Sequence, residues 1–287
     1  MPTEHKPDQH SSARDLCVCV DDFGLRPCIN QAALALIDLH RVHAVSVQVG
    51  GPAWRTGARL LRERDPRQVD VGLHLDLTEC PLQPATRLPL RALLARAYAR
   101  RLDAALLRAE IQAQLDAFER AMARPPSHVD GHQHVHQLPV VRALLMQELL
   151  RRYPGRLPWL RATRAPRPAA HADGRARAKA ATIAALGARP LAALARRHGA
   201  AQNARLLGVY DFGGDAAGYA RRLARWLRAA ATGDLLMCHA GAPNAQPDLL
   251  ANARRNEFEV LSAPAFAALT AAENIHLRPM RAILGLP

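Results

Sequence analysis

Asp21 and Asp22 are adjacent carboxylates that follow directly on the apolar run Leu16-Cys17-Val18-Cys19-Val20. Like charges so close together are costly unless a cation or a proton relieves them, so the pair points to a metal. The alternative is a turn, Asp22-Phe23-Gly24, that simply closes a strand and opens a helix. His74 interrupts a second apolar run, Val71-Gly72-Leu73-His74-Leu75, where a buried imidazole needs a partner for its nitrogens. A lone core histidine is satisfied by a hydrogen bond; beside an aspartate pair and further histidines it is a candidate ligand. Those further histidines stand in His128-Val129-Asp130-Gly131-His132-Gln133-His134-Val135-His136. There every titratable residue has the same parity, and an extended backbone would aim them all at one face unless Gly131 breaks the register. Imidazoles beside a carboxylate suit zinc, although one Asp with two His holds other divalent ions as well. Met237-Cys238-His239-Ala240-Gly241 ends a last apolar run with a histidine placed to serve as a general acid. Cys238 beside it suggests a Cys/His nucleophile, but strand neighbours face opposite ways, which places Cys238 in the core.

These groups need a scaffold that gathers them. Strands are expected over residues 16–20, 44–49, 69–75, 127–130, 157–161, 206–210 and 234–238, and helices over 30–40, 56–64, 91–123, 140–152 and 216–231. A Pro-containing loop is expected over 80–89, and an Ala/Arg/Pro-rich insertion or lid over 164–198. The alternation predicts an α/β fold of mostly parallel strands: a (β/α) barrel, regular or distorted and incomplete. The polar clusters then fall at C-terminal strand ends, which converge on one face of such a barrel. Arg161, at the end of the fifth strand, is a candidate for orienting the site.

The chain of 287 residues suits one barrel domain, residues 15–287, behind a disordered tail, residues 1–14. Hydrophobic residues make up 49% but aromatics only 4%, so the core must be built from Ala, Leu and Val. The formal charge is +14, yet apart from Lys6 and Lys179 every basic residue is an arginine interspersed with alanine along the chain, which reads as compositional bias and a solvated surface. A basic nucleic-acid-binding protein is the non-enzyme alternative, but no specific nucleic-acid partner is expected, because stacking aromatics are scarce and the strand-end clusters would have no role. Five cysteines at irregular spacing make no disulfide framework, and no apolar leader or membrane-length segment occurs, so a cytoplasmic protein is expected. A homodimer is left open.

Four motifs in order resemble the YdjC/ChbG family of carbohydrate deacetylases, which includes HpnK-like proteins: Asp21-Asp22-Phe23-Gly24-Leu25 followed by Asn30, Gly72-Leu73-His74-Leu75-Asp76-Leu77-Thr78, the 128–136 cluster, and Met237-Cys238-His239. They span residues 21–241; two departures are Ala240, where the family usually has Pro, and Gly131, where Ser is common. The resemblance implies one divalent cation, zinc or magnesium, on Asp22, His74 and His132, with Asp21 as catalytic base and His239 as general acid. His128, His134 and His136 would be secondary. It also implies removal of the acetyl group from an N-acetylated sugar or glycoconjugate by metal-activated water. A metal-dependent phosphoesterase is the rival enzyme reading; it requires a second cation and a bridging carboxylate.

Overall fold

The structure, a computed structural model, describes residues 13–170, 174–243 and 248–287. Most of the expected tail, residues 1–12, lies outside the described residues, and Arg14 already belongs to the first strand. In chain order the elements are β1 (Arg14–Phe23), α1 (Pro27–Asp38), β2 (Ala44–Val47), α2 (Trp54–Arg62), β3 (Asp70–Leu75), α3 (Leu90–Tyr98), α4 (Ala104–Met122), β4 (His128–Gly131), α5 (Val141–Arg152) and β5 (Trp159–Leu160). There follow α6 (Gly174–Ala185), α7 (Ala188–His198), β6 (Leu206–Leu207), α8 (Ala216–Ala229), β7 (Leu235–Cys238), α9 (Ala251–Ser262), α10 (Pro264–Ala272), β8 (Ile275–Leu277) and α11 (Met280–Ile283).

All the strand pairs are parallel, in the order β5-β4-β3-β2-β1-β7-β6, with β8 pairing the start of β1. Helical crossovers cover the outer face of a curled parallel sheet and its inner face packs on itself, so the central strands are buried on both sides; β2, β3 and β7 have no exposed position, whereas β8, at the start of β1, exposes His276. The sheet curls until its ends approach. Leu160 bridges Gln202, the Leu160 N–H donates to the Ala201 carbonyl (2.9 Å), and the Leu206 N–H donates to that of Arg164 (2.9 Å). β5 and β6 are only two residues long, and the Asn203 side chain, which accepts the Ala162 N–H and donates to its carbonyl, takes the place of a ladder between them, so the barrel is distorted and incomplete.

The elements depart from the sequence pattern in three informative places. β1 continues to Phe23, taking both aspartates into the strand. The expected helix over 91–123 is two helices, because Arg100 takes a left-handed φ of 56° and the Asp103 carboxylate accepts the Ala105 and Leu106 N–H groups, capping a new start. Residues after 250, which carried no expectation, form α9, α10, β8 and α11.

Candidate active site

A regular strand would send Asp21 and Asp22 to opposite faces. Here the β1–β2 register shifts between Val20 and Phe23, and Asp22 has a left-handed φ of 66°. Such a bulge re-aims one side chain, and a non-glycine residue held at positive φ is strain of the kind found at functional sites. Both carboxylates therefore line one cavity of about 890 Å³, together with His74, His132, His134 and His239.

Donor atoms of Asp22, His74 and His132 lie within 4.8 Å of one another. The Asp22 Oδ1 atom is 3.1 Å from His132 Nδ1 and 3.5 Å from His74 Nε2. His74 Nδ1–H donates to Asp130 Oδ1 at 2.6 Å, which leaves Nε2 directed toward Asp22 with its lone pair available in the neutral ring. His132 Nε2 sits 3.1 Å from Glu79 Oε2, so its ring too has a carboxylate at one nitrogen and the cluster at the other. One carboxylate and two imidazoles, each ring held by a further carboxylate, is a donor set that fits zinc and tolerates magnesium.

The electrostatics match. Burial opposes charge on all three residues, but the charge of Arg254 and the hydrogen bond from His132 hold the Asp22 carboxyl well below its usual range. His74 is disfavoured as a cation by burial, yet Asp130 and Asp21 raise it to about 9, and Asp22 raises His132 to about 10 against the same penalty. This cluster attracts positive charge in the form of protons; a divalent cation would meet the same field.

Behind the cluster, Arg161 is fully buried. Its Nη1 and Nη2 donate to Asp21 Oδ2 and Oδ1, both at 2.6 Å, and Nη2 lies 2.5 Å from Asp130 Oδ2. One guanidinium thus locks the orientation of Asp21 and ties it to the carboxylate that orients His74. The other candidate ligand groups among the described residues, Asp21/His74/Asp130 and Cys19/His128/Asp130, both include Asp130, against which this guanidinium already lies.

The remaining histidines separate. The parity reading holds through Asp130, since His128 Nε2 (2.9 Å) and Asp130 Oδ2 (2.6 Å) both meet Ser46 Oγ. It fails after Gly131, where Gln133 and His134 adopt left-handed φ values of 53° and 62° in a 3₁₀ turn, His132–Gln137. His128 stacks on Trp159 (centroids 4.3 Å apart) beneath the site, and Gly72 leaves room for its ring. His136 Nε2–H donates to the Arg161 carbonyl (2.9 Å), pinning the turn to the end of β5. His134 faces the cavity, whereas His128 and His136 are buried away from it. Cys238 is buried, and burial pushes its thiol well up, so it offers no thiolate.

Burial pushes His128, His136, His239 and the more peripheral His43 down to about 4. Their folded values lie below the unfolded value near 6.5, so the stability they contribute is full above that pH and is lost as pH falls toward 4. Each is expected to contribute up to about 1.4 kcal/mol per pH unit in that window. Urea titrations at pH 7, 6 and 5 test this; a flat stability across them would show that these rings are not held neutral.

Several residues of the site carried no signal in the motifs. Glu79 faces His132, and Arg254 and Glu257 come from α9. Arg254 Nη2 donates to Asp22 Oδ2 at 2.8 Å, and Glu257 is fully buried beside His239. The buried stripe of α9, Ala253, Arg254, Glu257 and Leu261, has helical spacing interrupted by two charges. That pattern is the one trace by which they could have been found. Of the insertion, α6 reaches the cavity through Lys179 and Ile183, and Lys179 Nζ donates to the Tyr210 carbonyl (2.6 Å) above the Phe212 ring.

A family model described as YdjC-like protein matches residues 15–272. The chain is similar to a Mus musculus protein named carbohydrate deacetylase, 31% identical over 296 residues with 91% of this chain and 92% of that one covered. It is also similar to a chitooligosaccharide deacetylase of Proteus mirabilis (strain HI4320), 30% identical over 148 residues, covering 47% of this chain and 56% of the other. A solved structure from Enterococcus faecalis V583, provisionally described as a cellobiose-phosphate cleavage protein, superposes with a TM-score of 0.69 at 17% identity over 95% of this chain and 99% of that one. At that identity it speaks for the fold alone.

Proposed function

Because this chain belongs to the YdjC-like protein family, we propose that it is a metal-dependent carbohydrate deacetylase, hydrolysing the acetamide of an N-acetylated sugar or glycoconjugate to acetate and a free amine. The observation that carries this reading is the meeting of Asp22, His74 and His132 with Asp21 and His239 in one cavity. Asp22, His74 and His132 would hold one zinc or magnesium ion, which when bound supplies Lewis-acid activation of a water and of the acetyl carbonyl.

The chain's own residues handle the protons. Asp21, fixed by Arg161, accepts the proton that the water loses as its oxygen attacks the carbonyl carbon. Burial holds His239 neutral in the free site, so the proton that it gives the departing nitrogen as the C–N bond breaks is made good by the one that Asp21 took from the water. Residues 15–287 act as one domain, and the 164–198 stretch walls the substrate cavity through α6. One cation is favoured over the two that a phosphoesterase requires, because Arg161 is paired with the carboxylates that a second ion would need. No helix among the described residues is long and apolar enough to cross a membrane. A cytoplasmic location and a homodimer remain part of the proposal.

Acetate release from a panel of N-acetylated sugars, with metal-loaded and chelated protein, tests the function. Release that requires the metal is expected. Tight metal binding with no release from any acetamido sugar, but turnover of phosphate esters, would replace this reading with the phosphoesterase.

A further inference from the structure

His239 stands at the end of β7, where a strand passes into a loop, and among the described residues no side chain hydrogen-bonds its ring. Nδ1 is buried without a partner, and the neighbouring aromatic contact is the edge-to-face Phe212 ring at 5.1 Å. A proton-transferring imidazole needs its position defined to a fraction of an ångström. Among the described residues its definition therefore comes through the backbone: the Ala240 N–H is held by the Cys238 sulfur within the same segment, and the hydrogen bonds that reach His239 and Gly241 come from one helix, α9. The Glu257 carboxylate accepts the His239 N–H through Oε2. Arg254 Nη1 donates to the His239 carbonyl at 3.3 Å. The Gly241 N–H donates to the Arg254 carbonyl at 3.0 Å, and a Cβ at Gly241 would lie 3.0 Å from Arg254 Cβ, so glycine permits the close approach. Arg254 and Glu257 are three residues apart, on one face of α9.

We infer that α9 positions the general acid, with Glu257 and Arg254 as positioning residues that hold the backbone of His239 from both sides. The inference rests on the deacetylase reading for the role of His239, but the clamp itself is a matter of hydrogen bonds. The same helix reaches the ligand cluster, since Arg254 Nη2 donates to Asp22. The other Glu257 oxygen accepts the hydroxyl of Tyr210, a cavity residue, at 2.6 Å. The carboxylate therefore joins the loops after β6 and β7 across the cavity floor. Reach distinguishes positioning from a purely electrostatic role. Glu257→Gln keeps the reach and an acceptor oxygen but drops the charge, whereas Glu257→Asp keeps the charge and is one methylene too short.

The test measures kcat and KM for acetate release, bound metal, and the amide proton resonance of His239 in the metal-loaded full-length protein. The resonance is assigned with His239→Ala and needs no substrate. In the wild-type protein the amide proton is expected downfield, as for an amide bonded to a carboxylate. In Glu257→Asp it moves upfield, and kcat falls about 10- to 100-fold with KM and metal content nearly unchanged. Glu257→Gln stays within about 3-fold of wild type in kcat. Gly241→Ala, which pushes the loop off α9 without touching Glu257, gives the same resonance change and loss of kcat, and serves if Glu257→Asp fails to fold.

An unmoved His239 amide in both Glu257→Asp and Gly241→Ala overturns the clamp, as does a fall in Glu257→Gln as deep as in Glu257→Asp. Full turnover by His239→Ala overturns the positioning role, whatever the amide shows. Absence of turnover of any acetamido sugar by the wild-type protein defeats the deacetylase reading instead, while the amide resonance still decides whether Glu257 holds His239.

Discussion

Asp21→Asn is expected to lower acetate release by roughly 100- to 10,000-fold while the cation stays bound. The change is nearly isosteric, and Asp21 is not one of the three residues placed to hold the metal, so the ligand cluster of Asp22, His74 and His132 is left whole. What is lost is the proton acceptor. Both Asp21 oxygens accept from Arg161 at 2.6 Å, and an amide retains only one acceptor, turning an N–H donor toward a guanidinium. Arg161 keeps Asp130 as a counter-charge at 2.5 Å, so the buried cation is not abandoned and the stability cost is expected to be about 1–3 kcal/mol, not global unfolding. Single-turnover acetate release, paired with metal analysis of the same sample, makes the comparison. If Asp21→Asn retains rate within an order of magnitude, Asp21 is not the base. If it sheds the metal, Asp21 belongs to the ligand set.

The second large effect is on the cation itself. His74→Ala combined with His132→Ala leaves only the Asp22 carboxylate of the cluster, and no divalent ion is expected to survive dialysis, with activity abolished. The proton inventory gives an independent reading of the same two residues. In the metal-free protein they titrate at about 9 and about 10, so at pH 7 both carry protons that a cation must displace. Metal uptake should release close to two protons, and affinity should fall as pH is lowered. Calorimetry in buffers of different ionisation heat measures the number. Release of no protons at pH 7 would show that these imidazoles are already neutral in the metal-free protein. For stability the sign is opposite to that of the buried neutral histidines: values raised on folding stabilise the metal-free protein fully below about 6.5 and lose that contribution as pH rises through 9 to 10.

Much of the site was legible because its chemistry is carried by residue types that strands rarely contain. Asp21, Asp22, His74 and His239 interrupt or end apolar runs, and a parallel sheet forces those run ends to one side of the molecule. The 128–136 cluster was legible as a set of candidate ligands but not as a shape. Its parity forecast one extended face, whereas the chain leaves β4 at Gly131 and enters left-handed conformations at Gln133 and His134. That turn sends His132 to the cluster, His134 to the cavity wall and His136 to the Arg161 carbonyl. Backbone φ at a non-glycine residue is set by its neighbours in space, and no local pattern announces it.

By itself, then, the order of strands and helices in this sequence determined a parallel α/β scaffold, and the placement of Asp and His at strand ends determined that these side chains would gather on one rim. Periodicity and side-chain chemistry are local properties and can be read along the chain. Only the tertiary structure decided which side chains hold the others. Arg161 locks Asp21 and Asp130 across 140 and 31 positions, Asp130 turns His74, and α9 brings Arg254 and Glu257 to Asp22 and His239 from more than 200 and just under 20 positions away. These are pairings among buried charged and polar groups, and their partners are set by where the packed helices come to rest against the sheet.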